Sequence, residues 1–157
     1  MRKQIMRGEL QETRTPEPEW LDLDQLVQVE LTSEDVEHPI ESALLANAGK
    51  GWRSQLQGKQ TIRLLFDKPH RIRRIQVLFQ EDEQARTQEF LLRWSADGGE
   101  SYRDIVRQQY NFSPPTVTRE LEDYFVDLDG MEILELSIVP DISGGDSRAS
   151  LVQLRLA

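Results

Sequence analysis

The 157-residue sequence has no cysteine and only two histidines, so disulfides, thiol nucleophiles and cysteine-ligated zinc are excluded. A zinc site would need carboxylates at a spacing that does not occur, and neither H-E-x-x-H nor G-x-S-x-G is present. Apolar runs such as "IQVLF" and "EFLLRW" have the length of a strand, well short of the roughly 20 residues of a membrane-spanning helix. The start, "MRKQIMRGELQETRTPEPEW", has a basic opening but no apolar core or small-residue cleavage site, so no secretory signal is read there. With the missing cysteines, this places the expected location in the cytoplasm. No repeat of solenoid or propeller length is visible.

What is present is acidic. Twenty-eight Asp and Glu against 19 Lys and Arg give a net charge of −9, a field that repels nucleic acid phosphates and anionic membranes. Fifteen of the basic residues are arginines, and Arg71, Arg73 and Arg74 fall together as either a small positive spot or a solvated strand edge. At 38% hydrophobic and 30% charged, the chain suits one soluble domain.

Residues 1–24 have no sustained period and carry "TPEPEW"; they are expected to form an arm, with Trp20 and Leu21 positioned to dock on a body spanning 25–157. "LVQVELTS" alternates as a half-buried strand. After Pro39, Ile40, Ala43, Leu44 and Ala48 share a helical face that Gly49 can end. The rest reads as strands. Ile62, Leu64 and Phe66 share a face, Lys68-Pro69-His70 is expected to turn the chain, and Ile75, Val77 and Phe79 return inward, with a bulge at Arg73-Arg74. Phe90, Leu92 and Trp94 precede "SADGG", and two strands hinge at Asp129-Gly130 before a last one that alternates Val152, Leu154 and Leu156. About eight short strands and one short helix predict an all-β antiparallel jelly-roll sandwich.

The "SADGG" stretch could cradle a phosphate only if it opened a helix, and "ESYRDIV" does not. It reads as a hairpin turn in which the glycines take positive φ and the flanking aromatics pair. Ser95-x-Asp97-Gly98 between aromatic strands resembles the "S-x-D-G-x-x-W" hairpin of discoidin domains, also called coagulation factor 5/8 type C domains, of the galactose-binding-like superfamily. In the same order, "LTSEDVEHPIESALLANAGKGWRS" is similar to that family's first strand, helix and Trp-x-Ser segment, here Trp52 and Ser54. "QTIRLLFDKPHRIRRIQVLF" resembles its strand pair and "ASLVQLRL" its closing strand, so the likeness covers about residues 26–156. Residues 29–66 also resemble the amino-terminal domain of the animal single-strand-break repair scaffold, where a Trp-Arg pair matches Trp52-Arg53.

These resemblances imply a non-catalytic binding module with carbohydrate as the ligand class. The alternative is an intracellular protein-interaction module of scaffold or adaptor type; a third reading is a domain accessory to an enzyme, assembled or made oligomeric through the arm. The family's terminal cysteine pair is absent. Its Asp-Gly near a structural calcium is replaced by Asn47-Ala48-Gly49, so no cofactor is expected, although "DLDG" at 127–130 and "PDISGGDSRAS" at 140–150 carry calcium-type oxygens. The His and Arg-Gly-Asp of fucose-binding relatives find His38 and Arg63 here, but Leu64 and Leu65 follow.

In a discoidin-like lectin, sugar rings stack on aromatic faces and hydroxyls bond to Arg, Asn, Asp or Gln at one loop end of the sandwich. The candidate ligand residues are therefore Trp52 and Arg53 after the helix, Tyr110, Asn111 and Phe112 in "QQYNFSPPTVTRE", and Asp146 and Arg148 before the last strand. Residues 108–120 are expected to form a loop stiffened by Pro114-Pro115, with Tyr110 and Phe112 either binding ligand or capping the core. Trp52 is read as ligand contact or core, and the family's matching Trp packs beneath the loops.

Overall fold

A computed structural model describes residues 19–45 and 49–157, so residues 1–18 of the expected arm 1–24 and the helix positions Asn47 and Ala48 lie outside the described residues. Among the described residues two single-turn helices, α1 (Leu23–Leu26) and α2 (Glu41–Leu44), accompany eight strands. These are β1 (Val27–Leu31), β2 (Trp52–Gln57), β3 (Gln60–Gln80), β4 (Arg86–Ser95), β5 (Arg103–Phe112), β6 (Arg119–Val139), β7 (Arg148–Leu151) and β8 (Gln153–Leu156). No helix among the described residues is long and apolar enough to cross a membrane.

All pairing is antiparallel. One layer runs β1-β3-β6-β4-β5, using the first half of β3 and the second half of β6. The second layer joins the other halves of β3 and β6 to β8, and a separate ribbon pairs β2 with β7. The two long strands thus belong to both layers of a jelly-roll sandwich. Alternation drives this: Ile62, Leu64 and Phe66, then Ile75, Val77 and Phe79, enter one core with Phe90, Leu92, Leu134 and Leu136. Phe79 of one layer meets Phe90 of the other at 5.2 Å.

The division into strands differs from the expectation in several places. Lys68-Pro69-His70 does not reverse the chain. Both sides of it pair with β6, and the register slips between Leu65, His70 and Ile72, so the segment bends one 21-residue strand from layer to layer. Pro69 removes a ladder donor without turning the backbone round. Gly130, at φ +76°, makes the matching bend in β6. Residues 52–57, not read as a strand, form β2, and the closing strand breaks at Val152, whose N–H bonds Leu78 O at 2.9 Å.

The bulge expected at Arg73-Arg74 is present, both amides converging on Ala157 O at 2.6 and 2.9 Å. The basic spot is not a free positive patch: Arg71 forms a two-point pair with Asp127, and Arg74 with Asp123. Leu21 N–H bonds Leu156 O at 2.8 Å and Leu23 is buried, so the chain docks on the body from Trp20 onward. Trp20 lies under Arg74 and Arg155 at 5.2 and 5.4 Å.

The 95–102 turn is a hairpin connection, with Gly98 and Gly99 at φ +71° and +92°. Ser95 Oγ donates to Asp97 at 2.7 Å, and the Ser101 amide and hydroxyl also donate to that carboxylate. These bonds, led by the Ser101 hydroxyl, hold its pKa down to about 2. The aromatics do not pair across the turn as expected: Tyr102 lies against Arg93, whose guanidinium is 4.3 Å from the ring centre.

Candidate functional site

Three segments distant in sequence meet beside the β2–β7 ribbon. Gly51 makes this possible: its φ is +85°, and a Cβ there would lie 2.6 Å from Leu151 O and 2.8 Å from Val152 Cα. Only glycine lets the 49–52 backbone approach the β7–β8 junction so closely. Next to it Trp52 is 1% exposed, its indole N–H donating to Ser33 O at 3.1 Å. Ser33 Oγ receives the Gln55 and Leu56 amides and donates to Gln60 Oε1 at 2.7 Å, and buried Ser54 receives the Ala149 amide. The Trp-x-Ser segment is therefore an anchor, and alternation along β2 leaves Arg53 exposed between two buried side chains.

Arg53 pairs with Ser150 in the ribbon and Gln57 with Arg148, so Arg53, Arg148 and Ser150 share the outward face while Ala149 and Leu151 face the core. The bend at 35–38 packs alongside: Arg53 N–H bonds His38 O at 3.2 Å, and Asp35 N–H bonds Arg53 O at 2.8 Å. His38 Nδ1 sits 3.7 Å from Asp35 Oδ2, too long for a hydrogen bond. Lys50 and Arg53, with Arg148 across from them, form the basic wall of an open cleft of about 440 Å3.

The other wall is acidic and comes from the β3–β4 connection, Gln80 to Glu83. Glu81 is committed to the fold, accepting from Arg86 Nε at 2.8 Å and from the Glu83 and Gln84 amides. Burial pushes its pKa up, but the Glu83 amide and Arg86 outweigh that and hold it below the usual range. Asp82 takes only the Gln80 side-chain amide, and Glu83 is exposed. Hydroxyl groups entering the cleft meet guanidinium donors on one side and carboxylate acceptors on the other.

The structure divides the candidate residues. Arg53 and Arg148 come together in the cleft, with Trp52 buried beneath. Asp146 is exposed but does not line it. Tyr110, Asn111 and Phe112 lie on β5 and not in a loop, because strand pairing continues to Arg86↔Phe112 and leaves only 113–118 as connection. Phe112 is 2% exposed under Arg86, which leaves no ring face for a sugar. Tyr110 packs edge-on to Phe112, its hydroxyl donating to Arg119 O at 2.7 Å, and Asn111 Oδ1 accepts from Thr87 at 2.7 Å.

Sequence reasoning missed Lys50, Asp82, Glu83 and Ser150. The run "EDE" between two strands was the only local sign, since nothing in the sequence says which loop it faces. Arg63 pairs with Glu135 at 2.8 Å and takes no part in the cleft. Among the described residues no cluster of three or more acidic or histidine side chains is arranged to hold a metal ion. Asp127 is occupied by Arg71, and Asp141 caps its own turn through Ser143.

No family model and no curated protein matches the sequence. Solved structures do. A pectin-binding carbohydrate-binding module superposes with a TM-score of 0.62 at 18% identity, covering 84% of this chain and 90% of its own. The fold is a discoidin-like jelly-roll sandwich. The family 32 module of NanJ from C. perfringens, solved with galactose, gives 0.63 at 12% identity over 87% of this chain and 96% of that one. The corresponding module of AlyQ, solved with 4,5-unsaturated mannuronic acid, gives 0.62 at 16% over 89% and 98%. A truncated AlyQ structure joins such a module to an alginate lyase domain. The chain covers 90–98% of the three isolated modules and 32% of the longer AlyQ structure.

Proposed function

We propose that the protein is a non-catalytic carbohydrate-binding module whose site is the cleft between Lys50–Arg53, Gln80–Glu83 and Arg148–Val152. One observation carries the reading: Arg53 and Arg148, which have no ion pair among the described residues, line one open cleft with the carboxylates of Asp82 and Glu83. Donors and acceptors spaced across a cleft suit a polyhydroxylated ring. Pectin, galactose and a mannuronic acid derivative belong to neighbours with the same fold, which supports the ligand class.

A glycan-array screen of the purified protein, with and without calcium, tests this. Selective binding is expected to disappear in Arg53→Ala and Arg148→Ala and to persist in Asn111→Ala, whose side chain lies on β5. Binding that survives both arginine changes and is lost in Asn111→Ala would move the site to β5 and sink the assignment.

A second reading, an intracellular protein-interaction module, is favoured by the exposed Phe125 and Leu121 on β6, at 67% and 51% exposure. It expects a defined protein partner whose capture is abolished by Phe125→Ser and unaffected by sugars. The cytoplasmic location belongs to this reading.

A further inference from the structure

We infer that the cleft selects a sugar bearing a carboxylate, a hexuronic acid residue, over its neutral counterpart, with Arg53 and Arg148 receiving the carboxylate and Asp82 and Glu83 the ring hydroxyls. The inference rests on the carbohydrate-binding reading above and deepens it.

The first ground is how this acidic chain disposes of its arginines. Arg63, Arg71, Arg74, Arg86, Arg93 and Arg107 each hold a carboxylate at 2.6–2.8 Å. With 28 acidic residues available, an arginine left unpaired is a choice of the fold. Arg73, Arg103, Arg119 and Arg155 also have no ion pair among the described residues, but each stands on a different strand. Arg53 and Arg148 stand on one ribbon face and open into the same cleft, joined by Lys50. Asp35 feels the charge of Arg148 without forming a pair with it. A planar carboxylate matches the guanidinium fork and supplies the charge that the wall lacks.

The second ground is the absence of a stacking platform. Trp52 is the cleft's one aromatic residue besides His38, and at 1% exposure it offers no ring face. Neutral sugars rely on an apolar ring face lying on an aromatic side chain for much of their contact area. A cleft without that area must obtain affinity from directional polar bonds, and the strongest of these are charge-assisted. The acidic wall sets the orientation, since Asp82 and Glu83 repel a carboxylate and accept from hydroxyls. The ligand is therefore held with its carboxylate toward Arg53 and Arg148.

Calorimetric titration with trisaccharides of galacturonate, glucuronate and mannuronate, each beside its methyl ester, tests the inference; a sulfated trisaccharide and an oligoglutamate peptide complete the series. At least one acid is expected to bind about tenfold or more tighter than its ester, the scale of one charge-assisted contact. Arg53→Gln and Arg148→Gln should erase that difference, and about 0.5 M salt should reduce it, because both guanidiniums are solvent-exposed. Equal binding of acid and ester overturns the carboxylate inference and leaves a neutral-sugar module standing. Tighter binding of the sulfated sugar, or equal binding of oligoglutamate, also overturns it, by showing that charge alone is read. If no acid, ester or array glycan binds the folded protein, the carbohydrate reading falls with it.

Discussion

Glu120 and Gly51 show how single residues constrain this molecule. Glu120 is 1% exposed on the inner face of β6; its Oε1 accepts from Gln88 at 3.3 Å and its Oε2 has no partner. Burial, and then the Glu122 carboxylate beside it, push its pKa up to about 8 from an ordinary 4.5. Tyr124, bonded to Glu122, completes the groups around it and is itself shifted up by burial and that carboxylate. The unfolded chain releases the Glu120 proton near pH 4.5 and the folded chain holds it to about 8, so folding stability falls as pH rises across that interval. Glu120→Gln should therefore stabilise the fold at pH 8 by roughly 1–3 kcal/mol, read as a higher melting temperature, and have little effect at pH 4, checked by thermal melts at both. At Gly51, Ala is expected to destabilise by about 1–3 kcal/mol through positive φ and collision with Leu151. Gly58→Ala is the control: φ is +80° but nothing lies within 4 Å of the added Cβ, so about 1 kcal/mol is expected. Neither constraint was legible beforehand, because a Glu in an alternating strand and a Gly after a helix are common, and only the packed neighbours give them consequences.

At the scale of elements, β6 is the central strand and Glu135 its polar tie. It is 2% exposed and holds Arg63 of β3 at 2.8 Å and Arg93 of β4 at 2.6 Å, joining three adjacent strands on one face. Burial pushes the Glu135 pKa up, but the two guanidiniums outweigh that and hold it down. Its contribution is thus present at neutral pH and is lost as pH falls below the ordinary carboxylate range. Glu135→Gln is expected to cost about 1–3 kcal/mol at pH 7, less than a fully buried pair because both arginines are more than a third exposed. Urea melts of the single variant and of Arg63→Gln, Arg93→Gln and their combinations apportion it. Alternation made most strands readable: Ile62 to Phe66, Ile75 to Phe79 and Phe90 to Leu92 bury the faces expected of them. It failed where local chemistry and tertiary pairing disagree. Lys68-Pro69-His70 carries turn residues, yet the common partner β6 keeps the chain running forward. "QQYNFSPP" lacks alternating apolar residues, yet β5 continues to Phe112 because β4 supplies a ladder as far as Arg86.

For the whole molecule, the period-two hydrophobic pattern determined the class, an antiparallel β-sandwich, and the order of the segments carried its resemblance to discoidin domains. The sequence also marked Arg53 and Arg148 separately as contact residues. What it did not contain is their relation. Lys50–Arg53, Gln80–Glu83 and Arg148–Val152 become one cleft only because β2 pairs with β7 and the β3–β4 connection closes over them. Local pattern reports which face of a strand is buried, since that depends on the residue and its near neighbours. Which loops meet at the end of a sandwich, and which arginines find a carboxylate, depends on pairings between residues far apart in the chain. Those pairings are decided by the packed tertiary structure, where, among the described residues, Arg63 and Arg93 meet Glu135 while Arg53 and Arg148 form no ion pair and line the open cleft.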